Sequence, residues 1–313
     1  MNENAITTTD HHPRACLDCL RRAWLLAGLG PYLEQLAGSG SWDEVPDPTR
    51  ITKLLRLSNE NLVAAAAPNV ASQVLARIEA LSEDRLHEEL ALADCWACCP
   101  HGDGYPSGLR DAGADAPRAL TGRGRAELLE ILNPDFAVTV VGARRATADG
   151  RGISLELGRD LADAGRFVVS RLDFGIDSCV HRGALDGGAE RTVAFLGCGP
   201  DMSYPASLRE VWRQVCDAGL VLSELPPGAT PWSWSLAAGH RIMAALAGIT
   251  VLVEEACPAE RWAEILPVAE GFGRRAAAVP GPIRSRSASE GNSALAGGAH
   301  AIRCAEDVLE LMQ

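Results

Sequence analysis

The stretch Phe136-Ala137-Val138-Thr139-Val140-Val141, followed at once by Gly142-Ala143-Arg144-Arg145, decides how most of the chain is read. A short run of apolar and β-branched residues ending in a glycine predicts a buried strand that opens into a tight loop. Six more such runs follow at helix-length intervals: Phe167 to Ser170, Thr192 to Leu196, Leu220 to Ser223, Ile249 to Val253, Ala276 to Val279 and Ala299 to Ile302. Continuous apolar strands separated by amphipathic helices predict βαβ crossovers, hence an α/β fold with an open, mostly parallel sheet and helices on both faces. This reading assigns residues 136–313 to the sheet domain.

Upstream the texture differs. Ala23, Leu26 and Ala27, then Val74, Ile78 and Leu81, repeat at helical spacing, with breaks at Gly28 to Pro31 and at Asp47-Pro48. Residues 1–97 therefore read as a small all-helical domain of four to six short helices. A hinge is expected at Cys98 to Pro106, within a connector over residues 98–135 that leads into the sheet domain. The length, 313 residues, suits two domains. The chain stops at Gln313 soon after its last helix, so no further module is expected.

Composition narrows the function classes. The N-terminus lacks an apolar run behind a basic start, and no long uninterrupted apolar stretch occurs, so a cytoplasmic protein without membrane contact is expected. A net charge of −12 argues against a surface coated with phosphate-neutralising residues, so any nucleic-acid contact must be local. Lys53 is the only lysine among 29 basic residues, which codon bias explains as well as any demand for guanidinium chemistry.

Three glycine-bearing loops follow successive strands. Gly142, Arg144 and Arg145 close the first, where backbone amides, a helix start and a cation could meet an anion. Ser170 to Asp177 closes the second, with Gly175 permitting a turn and Asp177 at the position of a helix N-cap. His181, one turn further, reads as a packed or capping residue ahead of a catalyst. Gly199 to Pro205, including Tyr204, closes the third. On one edge of a right-handed parallel sheet, these crests outline a groove.

The loops, with Val180 to Leu185, Ser223 to Pro226, Gly239 to Leu246, Val253 to Ala256, Val279 to Gly281 and Gly291-Asn292, form nine motifs in register that resemble the DprA/Smf family of DNA-processing proteins. The resemblance spans roughly residues 98 to 313 and implies an extended Rossmann-like fold that binds single-stranded DNA, with RecA as a partner in recombination and natural transformation. It implies a nucleic-acid site at Gly142, Arg144, Arg145, Ser170, Gly175, Asp177, Gly199, Tyr204, Arg241 and Asn292. No catalytic residue and no required cofactor is implied, and a homodimer is left open.

Several positions depart from the family pattern. Arg171 stands where the S-G-x-A-x-G-I-D loop has its second residue, a glycine, and Asp173 where it has a small one. Gly239 and His240 replace the first arginine and the asparagine of R-N-R, and Glu260 to Leu266 replaces S-G-S-L-I-T-A, placing two carboxylates where phosphate would be repelled. Two other functions therefore stay in view: an enzyme or sensor for a nucleotide-derived small molecule, with Glu254 or Glu255 as its carboxylate, and an interaction paralogue that has lost its ligand. The plainer reading of Glu254 and Glu255 is a solvated strand end.

Cysteine placement raises a separate question. Cys16-x-x-Cys19 opens the helical domain, and Cys95, Cys98, Cys99 and His101 close it. Cys16, Cys19, Cys99 and His101, with Cys98 as substitute, form a candidate structural zinc site; the alternative is buried thiols acting as small hydrophobes.

Overall fold

Helical spacing in the first part of the chain builds, among the described residues, six helices: α1 (Leu17–Gly28), α2 (Gly30–Ala37), α3 (Pro48–Leu55), α4 (Asn59–Ala66), α5 (Ala71–Glu79) and α6 (Glu83–Leu92). The computed structural model describes residues 13–38, 45–188, 191–255 and 260–313. The extreme N-terminus read for a leader, and Ala256 at the end of its motif, lie outside the described residues. Asp47 caps α3 by accepting from the Thr49 and Arg50 amides, with Pro48 at the first helical position. Leu25, Leu29, Leu33, Ile51 and Leu62 form a core that continues into Trp234, Ala237 and Ala238 of the later chain. The helices are thus packed onto the α/β part through shared apolar surface.

The remaining elements are β1 (Trp96–Cys98), α7 (Ser107–Asp111), β2 (Leu120–Gly124), β3 (Ala137–Val141), α8 (Ala148–Asp163), β4 (Phe167–Arg171), α9 (Ile176–Asp186), β5 (Thr192–Leu196), α10 (Arg209–Ala218), β6 (Leu220–Ser223), α11 (Ser233–Leu246), β7 (Ile249–Leu252), α12 (Ile265–Gly271), β8 (Arg275–Ala278), α13 (Ser289–Ala296), β9 (His300–Ala301) and α14 (Ala305–Leu311). They form a nine-stranded sheet in the order β1-β2-β6-β5-β4-β3-β7-β8-β9. Strands β3 to β9 pair in parallel, as the sequence predicts. Their residues are buried on both faces except at the start of β8 and in the short edge strand β9.

Alternation divides each strand between two cores. Val138, Val140 and Val168 face α8, α9 and α14, whereas Val141, Phe167 and Val169 face α11 and α12. Each fully buried valine contributes about 1.5–3 kcal/mol relative to exposure. Helices α8 and α9 approach so closely that a Cβ on Gly183 would lie 2.0 Å from the Leu155 carbonyl oxygen.

Two sheet strands arise upstream of the expected sheet domain: β1 straddles the end of the stretch expected to be all-helical and the start of the connector, and β2 lies within the connector. β1 pairs antiparallel with β2, and β2 pairs antiparallel with β6, so residues 96–98 and 120–124 extend the sheet at one edge. Strand order reverses at β3, which has β4 on one side and β7 on the other. That switch point, at the carboxyl ends of the parallel strands, is where doubly wound folds bind ligands.

Candidate functional site

At the switch point the chain supplies its own anions. The Glu254 carboxylate accepts from the Thr147 amide at 2.5 Å and its hydroxyl at 2.9 Å, at the N-terminus of α8. The Glu260 carboxylate accepts from the Arg144 amide at 3.0 Å. Both act where a helix start and a strand-end loop favour a phosphate. Glu254 and Glu255 are 7% and 2% exposed, so they are not a solvated strand end. Glu255 accepts from the Trp262 and Ala263 amides, and burial pushes its carboxyl up to about 7 against those two hydrogen bonds.

The departures from the family pattern meet in one cluster. The Arg171 guanidinium, 2% exposed, stacks 3.9 Å from the Trp262 ring centroid and lies 3.6 Å from Asp177 and 3.7 Å from Asp173. Asp173 also pairs with Arg144 at 3.0 Å. His240 stacks on the same Trp262 with 5.2 Å between ring centroids. Charges and rings that look foreign to the pattern one at a time therefore complement one another and fill the space under the crests.

This placement corrects several expectations. Arg241, expected to add a cation, is 4% exposed, donates to the Glu224 carboxylate at 2.6 Å and so presents no charge to a ligand. Ser170 donates to the Val140 carbonyl oxygen inside the protein. Asp177 is fully buried in the first turn of α9 and caps nothing, because the N-cap is Gly175. Burial pushes the Asp177 carboxyl well above its ordinary value, with Arg171 pulling the other way. Gly142 and Gly199 pack against backbone of neighbouring crests, and the Asn292 amide bonds both the N–H and the carbonyl of Gly281.

Gly175 is required by its backbone. It sits at φ +76°, and a Cβ there would meet the Ala143 carbonyl oxygen at 2.1 Å. His181 is buried between Thr192, 2.7 Å from Nδ1, and the Arg171 carbonyl, 2.9 Å from Nε2, so that Nε2–H donates and Nδ1 accepts. It is a packed residue, and burial lowers its pKa to about 4.

His240 carries a testable cost. Neither ring nitrogen has a hydrogen-bond partner among the described residues, and burial, then the charges of Arg171 and Arg261, lower its pKa to about 3. Below about 6.5 the unfolded chain takes up a proton that the folded chain refuses, so stability falls as pH drops towards 3. His240→Leu should therefore stabilise the protein by about 2 kcal/mol at pH 5 and flatten this slope. Denaturant titrations at pH 5 and pH 8 check it; a variant no more stable at pH 5 than the parent would contradict the burial argument.

Other side chains point outward on the same sheet edge. Arg145 is exposed beyond β3, and Arg284 and Arg286 are exposed beyond β8; none of the three makes an ion pair among the described residues. Phe174 beyond β4 and Tyr204 beyond β5 are 39% and 38% exposed, and Ile283 is 92% exposed. A narrow cleft lined by Arg144, Asp173, Leu196, Gly197, Tyr204 and Leu236 runs between the β4 and β5 crests. Phe174, Arg284 and Arg286 were absent from the sequence-derived site. The rule that all parallel strands end on one edge could have found them.

At the start of α1 and the end of the edge strand β1, Cys16, Cys19, Cys99 and His101 converge, with their ligand atoms all within 4.8 Å of one another. Cys98, the substitute, lies in the core on the opposite face of β1.

The chain is thus a doubly wound α/β protein whose carboxyl-end loops bring exposed cations and exposed aromatic rings to one edge of the sheet. The chain belongs to the DNA recombination-mediator protein A family, whose model matches residues 96–313. It is 35% identical over 202 residues to a Mycobacterium tuberculosis protein described as a DNA processing protein DprA, covering 63% of this chain and 50% of that one. The chain thus spans about half the length of that curated relative. Its fold is similar to the solved structure of DNA processing protein A from Streptococcus pneumoniae, with a TM-score of 0.68, 25% identity and coverage of 81% and 86% of the two chains. It is also similar to DNA processing protein A from Helicobacter pylori, described for its single-stranded DNA binding mode, with a TM-score of 0.58, 23% identity and coverage of 66% and 92%. No described helix is long and apolar enough to cross a membrane.

Proposed function

We propose that this chain binds single-stranded DNA across the outer rim of the carboxyl-end crests and acts as a DNA-processing accessory factor in recombination, making and breaking no bonds itself. The observation that carries this reading is the exposure of Phe174 and Tyr204 on the edge that also holds Arg145, Arg284 and Arg286. Aromatic faces with a few cations suit an unpaired strand, whose bases can stack, better than a duplex, whose bases are already stacked. Relatives described as DNA processing proteins support the same reading.

Glu254 and Glu260 favour a strand on the rim over a mononucleotide in the switch-point crevice, because their carboxylates hold the amides that a phosphate would need. The enzyme or small-molecule sensor is therefore the weaker reading. Hand-over of DNA to RecA and assembly of a homodimer rest on the family resemblance alone and form part of the proposal.

Anisotropy with fluorescent oligo-dT and a duplex of equal length tests it. The single strand should bind more tightly, and three cations predict a slope of log K against log salt near about −2. Equal affinity for both forms, or no binding at low salt, would contradict it.

A further inference from the structure

We infer that Cys16, Cys19, Cys99 and His101 bind one structural zinc ion that staples the start of α1 to the end of β1. The four residues come from two segments eighty positions apart, yet the His101 Nδ1 lies 3.4 Å from the Cys16 sulfur, 3.4 Å from the Cys19 sulfur and 4.0 Å from the Cys99 sulfur. Tetrahedral zinc with three thiolates and one imidazole requires edges of about 3.5 Å between nitrogen and sulfur. The arrangement already has that size.

Local structure explains how the donors meet. Cys16 is the N-cap of α1 and Cys19 lies one turn inside it, so both sulfurs stand on the same side of the helix start. The Cys16 amide donates to the Cys99 sulfur at 3.4 Å, a contact that favours a thiolate. Cys99 follows β1, and alternation turns Ala97 and Cys99 towards α1 and α6 while Cys98 points into the sheet core. The Arg110 side chain donates to the carbonyls of Pro100 and Gly102 and so braces the turn that carries His101.

Donor chemistry selects the metal. Three thiolates and one imidazole in a closed tetrahedral set suit zinc, and four protein ligands leave no open position for water or substrate, so the site is structural. Binding turns three thiols into thiolates and releases their protons to solvent. The ion would anchor the helical segment to the antiparallel side of the sheet, and its donor set is complete without any residue of the proposed DNA site, so the inference does not depend on the proposed function.

Elemental analysis of the full chain purified without chelator is the test. About one zinc per chain is expected, lost in Cys19→Ser and retained in Cys304→Ser, whose half-buried thiol lies elsewhere. If Cys19→Ser fails to fold, alkylation of the parent gives the answer: chelator should speed modification of Cys16, Cys19 and Cys99 and leave Cys98 slow. A zinc-free parent with reduced thiols, a Cys16–Cys99 or Cys19–Cys99 disulfide in its place, or alkylation indifferent to chelator would overturn the assignment.

Discussion

Arg171→Ala is expected to cost about 3–5 kcal/mol of stability, as removal of one partner from a buried ion pair typically does. The guanidinium is 2% exposed and lies between Asp177, Asp173 and the face of Trp262. Truncation leaves Asp177 buried with no cation at 3.6 Å and removes a ring contact of up to about 2 kcal/mol when desolvated. For a domain of this size the melting temperature should fall by about 10 °C or more. Arg171→Met, which keeps much of the volume, separates charge from packing and should recover only part of the loss.

The loss should depend on pH with a definite sign. Burial already holds the Asp177 carboxyl above its ordinary value, and removing Arg171 raises it further. A carboxyl with a raised folded-state value favours the folded state while protonated, and that advantage disappears as pH rises through its folded value. The variant should therefore stand closest to the parent in mild acid and fall furthest below it in alkali. Thermal melts at pH 5 and pH 8 give the comparison, and a deficit larger at pH 5 would refute the ion-pair account.

The parallel sheet was legible because β3 to β7 are written as short apolar runs containing β-branched residues, and the loops after β3 to β6 carry glycine or proline. Strands β1 and β2 were not. Trp96-Ala97-Cys98 is only three residues long, and Leu120 to Gly124 contains two glycines, so neither carries strand propensity of its own. Pairing with β6 makes them strands, and that contact is not visible in local sequence. Recognising β1 would also have settled the choice between Cys98 and Cys99, since neighbouring strand residues face opposite ways.

The candidate site was legible in its location and not in its working parts. Glycine-bearing loops after successive parallel strands pointed to the carboxyl-end edge of the sheet, where the structure places Phe174, Tyr204 and the exposed arginines. They did not reveal that Glu224, 17 residues before Arg241, takes that guanidinium out of reach. Nor did they show that Arg171, Asp173, His240 and Trp262 complete one another, because each alone reads as damage to a family pattern. Complementary departures form a cluster only once the fold brings β4, α11 and the loop after β7 together.

The exposed rings provide the most direct test of strand binding at the crests. Phe174 and Tyr204 each leave more than a third of their surface open, so both rings present a face on which a base can stack, and the variant lacking both should remain folded. Base stacking on an aromatic side chain contributes about 1–3 kcal/mol per base, so losing two platforms should remove about 2 kcal/mol or more. That corresponds to about a 30-fold weaker complex or worse. The decisive measurement is oligo-dT affinity at one low salt concentration for the parent and the Phe174→Ala/Tyr204→Ala variant, each verified as folded by its melt. The account predicts a tight parent and a variant weakened about 30-fold or more; equal affinity in two intact proteins would place the DNA, if bound at all, away from the crests.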